Sequence, residues 1–117
     1  MILPAAFAII VGVGMVGMWV ASYYKNQILE LESEPVRIKF HLVAEFATAL
    51  LLIVSGLALL TNQSWAISSY LVAMGMLFYT IIVSPGYFAQ KGQWAYVVMF
   101  AVILVLAIAS LLIVLNT

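Results

Sequence analysis

The residues in this sequence best suited to chemistry are a histidine and a glutamate placed four positions apart. His41 is the only histidine, and Glu45 is the only acidic residue inside an apolar segment. At this spacing two side chains share one helix face, one turn apart. An imidazole changes charge between about pH 5 and 8, and burial or a nearby cation moves the titration of a carboxyl. The pair therefore indicates a proton-binding site.

The helix face that carries the pair stays polar or small beyond it. Helical spacing continues the face through Thr48 and Ser55, and such a stripe on an apolar helix is expected to point into a bundle. Counting inward from the helix ends places further hydroxyls at the depth of Glu45. The predicted vestibule consists of His41, Glu45, Thr48, Tyr79, Thr80 and Tyr96.

Other roles for the pair stay open. Glu45 is alternatively a structural pin, a carboxyl held by a hydroxyl or by His41 that only joins helices. A haem at His41 would need a second chain or a partner, because one histidine supplies one axial ligand. Two ligands are too few for a metal site, and phosphate-loop, nucleophile-elbow and HExxH patterns are absent from the sequence. We expect no enzyme activity, no metal and no cofactor.

The composition of the chain indicates the solvent around the helices that position the pair. Hydrophobic residues make up 68% of the 117 residues and charged residues 7%, with a mean hydropathy of +1.26. Soluble domains carry about a quarter charged residues, so the expected solvent is the lipid bilayer. The zero net charge gives no reason to expect a nucleic-acid partner. The absence of cysteine excludes disulfides and thiol chemistry.

Apolar segments of suitable length predict four transmembrane helices, at residues 4–24, 36–61, 65–84 and 94–115. Each is close to the roughly 20 residues that cross the hydrocarbon core. Pro85 and Gly86 are expected to end the third helix in a turn. No span is expected to contain a break of the kind that many transporters use for binding at the midplane. The predicted fold is a single all-α domain over residues 1–117, an integral membrane four-helix bundle with up-down-up-down, antiparallel topology.

The basic residues predict the orientation. All of them fall in the connections before the second and fourth helices: Lys25, Arg37, Lys39 and Lys91. The positive-inside rule then places loops 25–39 and 85–93 in the cytoplasm and both termini outside the cell membrane.

Small residues predict how the helices pack, since close backbone approach drives helix association in membranes. The predicted packing positions are Gly12, Gly14, Gly17 and Gly75. Gly17 is expected at a close helix contact, and one hypothesis is that Gly12 faces a neighbouring subunit. Two small faces on one helix exceed the need of a lone bundle, so we expect a homo-oligomer or docking to other membrane subunits.

Two functions of different classes follow. The His41–Glu45 stripe favours an oligomeric permeation or proton-coupled transport protein with its vestibule at the cytoplasmic end. The unbroken helices and the scarcity of charge favour a non-catalytic accessory or structural subunit of a larger membrane complex. A haem-binding membrane protein, through His41, is a remote third interpretation.

Overall fold

The computed structural model describes residues 2–24 and 34–116, and their regular structure is entirely helical. The helices are α1 (Ile2–Tyr24), α2 (Pro35–Leu60), α3 (Ala66–Gln90) and α4 (Trp94–Leu115). All four are long and apolar enough to cross a membrane. The longest dimension of the molecule is 45 Å, which matches a bilayer of about 40–45 Å including its headgroups.

Neighbouring helices run in opposite directions. Trp19 of α1 packs on His41 of α2, whereas Gly56 of α2 meets Ala5 near the start of α1. Only a few residues join α2 to α3 and α3 to α4, and such short connections make neighbours antiparallel. We call the end that holds the start of α2 the charged end. The opposite end, where α2 turns into α3, is the turn end.

A reciprocal pair of glycines brings α1 and α2 into close contact. A Cβ atom on Gly12 would lie 2.8 Å from the Ala49 carbonyl oxygen, and one on Gly56 would lie 2.9 Å from the Ala5 carbonyl oxygen. Only a bare backbone fits at these points. Gly12 therefore packs against α2 of its own chain, which disagrees with the hypothesis that it faces a neighbouring subunit.

The other predicted packing glycines face open space. A Cβ added to Gly14, Gly17 or Gly75 would have no neighbour from another helix within 4 Å in the described part of the chain. Gly17 is thus outside the bundle contacts that the sequence pattern assigned to it. The glycine pattern located two faces on α1, but it could not show which face the bundle uses.

The sequence pattern predicted that α3 ends at Pro85, and this prediction was wrong. The helix continues to Gln90 with Pro85 in its interior. A proline removes one backbone hydrogen bond, a loss that membrane helices tolerate when neighbouring groups compensate. Beyond it, the Phe88 ring stacks on Tyr96 and Phe100 of α4, and this contact holds the extra turn of α3 against the bundle.

The stop of α3 is Gly92, which has a φ of +74°. The Gly92 N–H donates to the Ala89 carbonyl at 3.0 Å and the Gln93 N–H to the Phe88 carbonyl at 2.9 Å. This is the Schellman motif, in which a left-handed residue lets the last carbonyls find donors. Asn62, with a φ of 55°, ends α2 in the same way.

The helix α4 is the least covered of the four. In its most apolar window 22% of residues are buried, against 39% to 44% in the other helices. Between α1 and α4 runs an apolar groove of about 700 Å³, bordered by Gly14 and Gly17 on the α1 side. The bundle is therefore well packed around α2 and α3 and open along one side.

Candidate functional site

Glu45 is a buried carboxyl that links two helices. It lies ten residues after the start of α2, about 15 Å along the helix axis, and is 2% exposed. The Ser84 hydroxyl of α3 donates a hydrogen bond to Glu45 Oε1 at 3.2 Å. A charge-capable group so placed needs polar partners to offset the loss of water, and Ser84 is one of them.

His41 connects the carboxyl to the surface. Its Nε2 atom lies 3.4 Å from Glu45 Oε1, and its side chain is 32% exposed while that of Glu45 is 3% exposed. The Trp19 ring meets the imidazole edge-to-face, with ring centres 5.5 Å apart. The imidazole is therefore held in place by α1 while it touches both the buried carboxyl and the solvent-accessible side.

Two more polar groups border the carboxyl. The side chains of Trp19 and Thr80 lie close enough to Glu45 to interact with it. The Trp19 N–H is buried and makes no hydrogen bond of standard geometry within residues 2–24 and 34–116, so its interaction with Glu45 is electrostatic in this arrangement.

A polar cleft of about 280 Å³ opens next to His41 at the charged end. At about 30 Å³ per water molecule it has room for several. Its walls come from α2 and α3 and the residue before α2: Glu34, Arg37, Ile38, His41, Val83, Ser84, Tyr87 and Gln90. Two of the four polar neighbours of Glu45, His41 and Ser84, thus line the cleft, and Glu45 lies directly behind them.

An ion pair stands at the mouth of this cleft. Arg37 Nη1 lies 3.4 Å from Glu34 Oε2, and both side chains are exposed. Exposed pairs contribute little to stability, about 0–1 kcal/mol. Their effect is to keep the mouth polar.

The structure brings together only part of the predicted vestibule. His41, Glu45 and Thr80 meet, and Thr48 is buried on the same face, where its hydroxyl donates to the Ala44 carbonyl at 2.8 Å. Tyr79 is 68% exposed on the outside of α3. Because one residue turns a helix by about 100°, Tyr79 and Thr80 cannot both face inward.

Tyr96 also lies away from the carboxyl. Its ring stacks on Phe88, with centres 4.6 Å apart, and it borders the groove between α1 and α4. Placing Tyr79 and Tyr96 in the vestibule was therefore wrong. Counting residues gave their depth in the bundle but not the side of the helix on which they lie.

Three site residues escaped the sequence argument: Trp19, Ser84 and Tyr87. Ser84 and Tyr87 were assigned to the end of a helix and to a loop, because Pro85 was expected to stop α3. The available signal was the spacing of Thr80 and Ser84, four positions apart and so on one helix face. Tyr87 extends that face one turn further and lies 6.3 Å from Trp19 between ring centres.

Among the described residues no group of three His, Cys, Asp or Glu side chains could hold a metal ion. The His41 Nε2 atom, the natural haem ligand, faces Glu45 instead.

Comparison with known proteins gives a family and no activity. Residues 3–117 match the model of a family described as a domain of unknown function, DUF8058. The chain belongs to that family. No curated protein and no solved structure matches it.

Proposed function

We propose that this chain is an integral membrane protein that binds a proton at Glu45 by way of His41, as part of an oligomeric permeation or proton-coupled transport protein. One observation carries the proposal: two of the polar groups that contact the buried carboxyl, His41 and Ser84, line an open cleft. A carboxyl within a membrane span is costly, and is a candidate for function for that reason.

The distribution of the basic residues supports an orientation of the bundle in the membrane. The described basic residues, Arg37, Lys39 and Lys91, all lie near the charged end. By the positive-inside rule this end faces the cytoplasm of a cell membrane and both chain termini lie outside. The cleft then opens to cytoplasmic water, and Glu45 exchanges its proton from that side.

The proton route has two short steps. Water in the cleft protonates the exposed side of His41, and the imidazolium passes the proton on its Nε2 atom to Glu45 Oε1. A closing movement of about half an ångström brings the 3.4 Å separation to the roughly 2.7–2.9 Å of a charge-assisted hydrogen bond. The Ser84 hydroxyl can hydrogen-bond to Glu45 in both of its protonation states. It donates to the carboxylate and, after rotation of the hydroxyl, accepts from the carboxylic acid.

The route stops at Glu45 in this arrangement. On the turn-end side of the carboxyl the core is filled by Leu52, Met74 and Leu77, each at most 1% exposed. Passage across the membrane therefore requires a second arrangement of α2 and α3 or a path between subunits. A path between subunits is available in an oligomer.

The accessory-subunit function is the second candidate, and the open side of the bundle favours it. The groove between α1 and α4, with outward glycines on α1, leaves an apolar surface that residues 2–24 and 34–116 do not cover. In that function Glu45 joins α2 to α3 and no proton is exchanged.

Proton flux into vesicles tests the proposal. Purified protein is reconstituted into phospholipid vesicles with an internal pH-sensitive dye, and a potassium diffusion potential drives protons. We expect wild-type flux to fall at least tenfold in Glu45→Gln, since the amide keeps the shape but cannot carry the proton. The matched control Glu32→Gln removes a carboxyl in the segment between α1 and α2 and is expected to leave the flux unchanged. Equal flux in wild type and Glu45→Gln would contradict permeation through this site.

A further inference from the structure

The polar groups around the Glu45 carboxyl can all donate a hydrogen bond. They are the Ser84 and Thr80 hydroxyls of α3, the Trp19 N–H of α1 and the His41 imidazole of α2. A tryptophan N–H can only donate, and hydroxyls and imidazoles can do so. Within the described residues neither a second carboxylate nor a lysine or arginine pairs with Glu45. The surroundings of Glu45 therefore suit a negatively charged group.

Most of these donors do not depend on Glu45 for their position. Trp19, Thr80 and Ser84 are buried, at 3%, 6% and 2% exposure, and they belong to helices other than that of Glu45. The Trp19 ring also packs on His41 and Tyr87. We call the space between Trp19, Thr80 and Ser84 the carboxyl pocket. Because buried donors without an acceptor are costly, the pocket needs another acceptor if the Glu45 carboxyl leaves it.

Protonation weakens the hold of the carboxyl pocket on Glu45. Hydrogen bonds to an ionised acceptor are roughly twice as strong as those between neutral groups. The cleft next to Glu45, about 280 Å³ in volume, gives the neutral side chain space to rotate. Its charged or titratable lining residues are Glu34, Arg37, His41 and Tyr87, and of these Glu34 and Arg37 pair with each other. A neutral Glu45 can therefore leave the pocket for the water of the cleft.

We propose that the carboxyl pocket binds a small monovalent anion, of the size of chloride or formate, when Glu45 is protonated. This inference rests on the proposed function, because it requires proton binding at Glu45. One proton and one anion enter the site together, so its net charge does not change. The substrate of the proton-coupled protein is then the anion.

The size and chemistry of the carboxyl pocket limit what binds there. The space that Glu45 vacates is that of one carboxylate, which is formate itself, whereas gluconate is too large. A metal cation fits less well, because it binds through oxygen lone pairs and the Trp19 N–H has none to offer. The exposed cations of the charged end, Arg37 and Lys91, raise the local concentration of anions, and Glu34 offsets part of this effect.

Calorimetric titration of the full chain in mild detergent with potassium chloride or potassium formate tests the assignment. Potassium gluconate keeps the ionic strength constant. We expect one anion to bind wild type saturably at pH 6 and at least tenfold more weakly at pH 8, where the carboxylate of Glu45 reoccupies the pocket. Glu45→Gln cannot ionise, so at pH 8 it should bind at least tenfold more tightly than wild type. Glu32→Gln, the matched control, should bind as wild type does.

Removal of a donor tests the location of the anion. In the Glu45→Gln background, Ser84→Ala should weaken anion binding about tenfold, because it deletes one hydrogen bond to the ion. Ser69→Ala is the matched control in the same background. The Ser69 hydroxyl donates to the Ala66 carbonyl of its own helix, so its removal should leave binding unchanged. Equal affinities in these two variants would contradict a site at Ser84.

Proton uptake separates anion binding from a structural role of Glu45. Since linkage is reciprocal, adding either anion to unbuffered wild type near pH 7 should take up protons, approaching one per anion bound. Glu45→Gln should take up fewer, because only His41 is left to titrate at the site.

The proposal is overturned if neither anion binds saturably, if wild-type affinity is the same at pH 6 and pH 8, or if binding takes up no proton. If the anions fail to bind while the carboxyl of Glu45 still titrates in magnetic resonance, the anion site is wrong and proton exchange at Glu45 stands. A Glu45 that does not titrate contradicts both.

Discussion

Ser84 ties the buried carboxyl of α2 to α3, and its removal should be measurable. Ser84→Ala deletes the hydroxyl that donates to Glu45 Oε1 at 3.2 Å. We expect a loss of about 1 kcal/mol in the free energy of unfolding, within the range for buried and membrane hydrogen bonds. The measurement is unfolding in mixed micelles of increasing denaturing-detergent content.

Ser69→Ala is the matched control for that measurement. Within the described residues the Ser69 hydroxyl donates to the Ala66 carbonyl of its own helix, so its loss should change stability by a few tenths of a kcal/mol at most. If both variants lost the same free energy, Ser84 would not be a partner of the carboxyl.

At the residue scale, the sequence predicted the pair and Thr80, but it did not place Ser84 or Trp19 in the vestibule. His41 and Glu45 lie on one helix, and their spacing of four is enough to bring them together. Ser84 and Trp19 come from other helices, and their meeting depends on how each helix is rotated about its axis. Nothing in a chain that is 68% hydrophobic distinguishes an inward face sharply enough to fix that rotation.

The contact between α1 and α2 depends on bare backbone at Gly12. In Gly12→Leu the new Cβ would lie 2.7 Å from Ile53 Cγ1 and 2.8 Å from the Ala49 oxygen. We expect a loss of about 1–3 kcal/mol, or more, in the free energy of unfolding from overpacking. Unfolding in mixed micelles measures it, and wild-type stability in Gly12→Leu would contradict the close approach.

Gly17→Leu reports on the other face of α1. The added Cβ meets no atom of another helix within 4 Å among the residues that the structure describes, so the monomer should keep its stability. If this face packs on a neighbouring subunit, light scattering in mild detergent should show a smaller particle. An unchanged particle would remove the argument for an interface at Gly17.

The end of α3 makes a separate prediction at Gly92. An alanine there must adopt a φ of +74°, which costs about 1–2 kcal/mol for a residue with a Cβ atom. Gly92→Ala should lose this amount in thermal or detergent unfolding. Gly86→Ala, within the helix and facing open space, should be neutral or slightly stabilising, because alanine is the better helix former. If Gly86→Ala lost more stability than Gly92→Ala, the end of α3 would lie at Pro85-Gly86.

At the element scale, the number and approximate extent of the helices could be predicted, but one boundary could not. Apolar length and composition mark four segments regardless of packing. The stop of α3 depends on a competition between Pro85, which costs one hydrogen bond, and the stacking of Phe88 on α4. That stacking is a tertiary contact, so a rule based on local sequence gave the wrong end.

At the scale of the whole molecule, the proposed orientation can be tested by labelling. The chain has no cysteine, so single cysteines can be introduced without background. With the charged end in the cytoplasm, Asn62→Cys and Asn116→Cys should react with a membrane-impermeant maleimide added to intact cells. Gln27→Cys and Gln90→Cys should react only after the membrane is opened. The opposite pattern would place the cleft on the outer side.

The titration of Glu45 itself tests the central claim most directly. All four acidic residues are glutamates, so isotope-labelled glutamate gives a small set of carboxyl signals in magnetic resonance of the reconstituted protein. Glu45→Gln identifies the signal of Glu45 by its disappearance. The account predicts that this signal changes with pH and that its midpoint moves in His41→Asn, since the imidazole is its neighbour. A Glu45 signal that stays constant from about pH 5 to 8, where imidazoles change charge, would contradict proton exchange and leave Glu45 as a pin between α2 and α3.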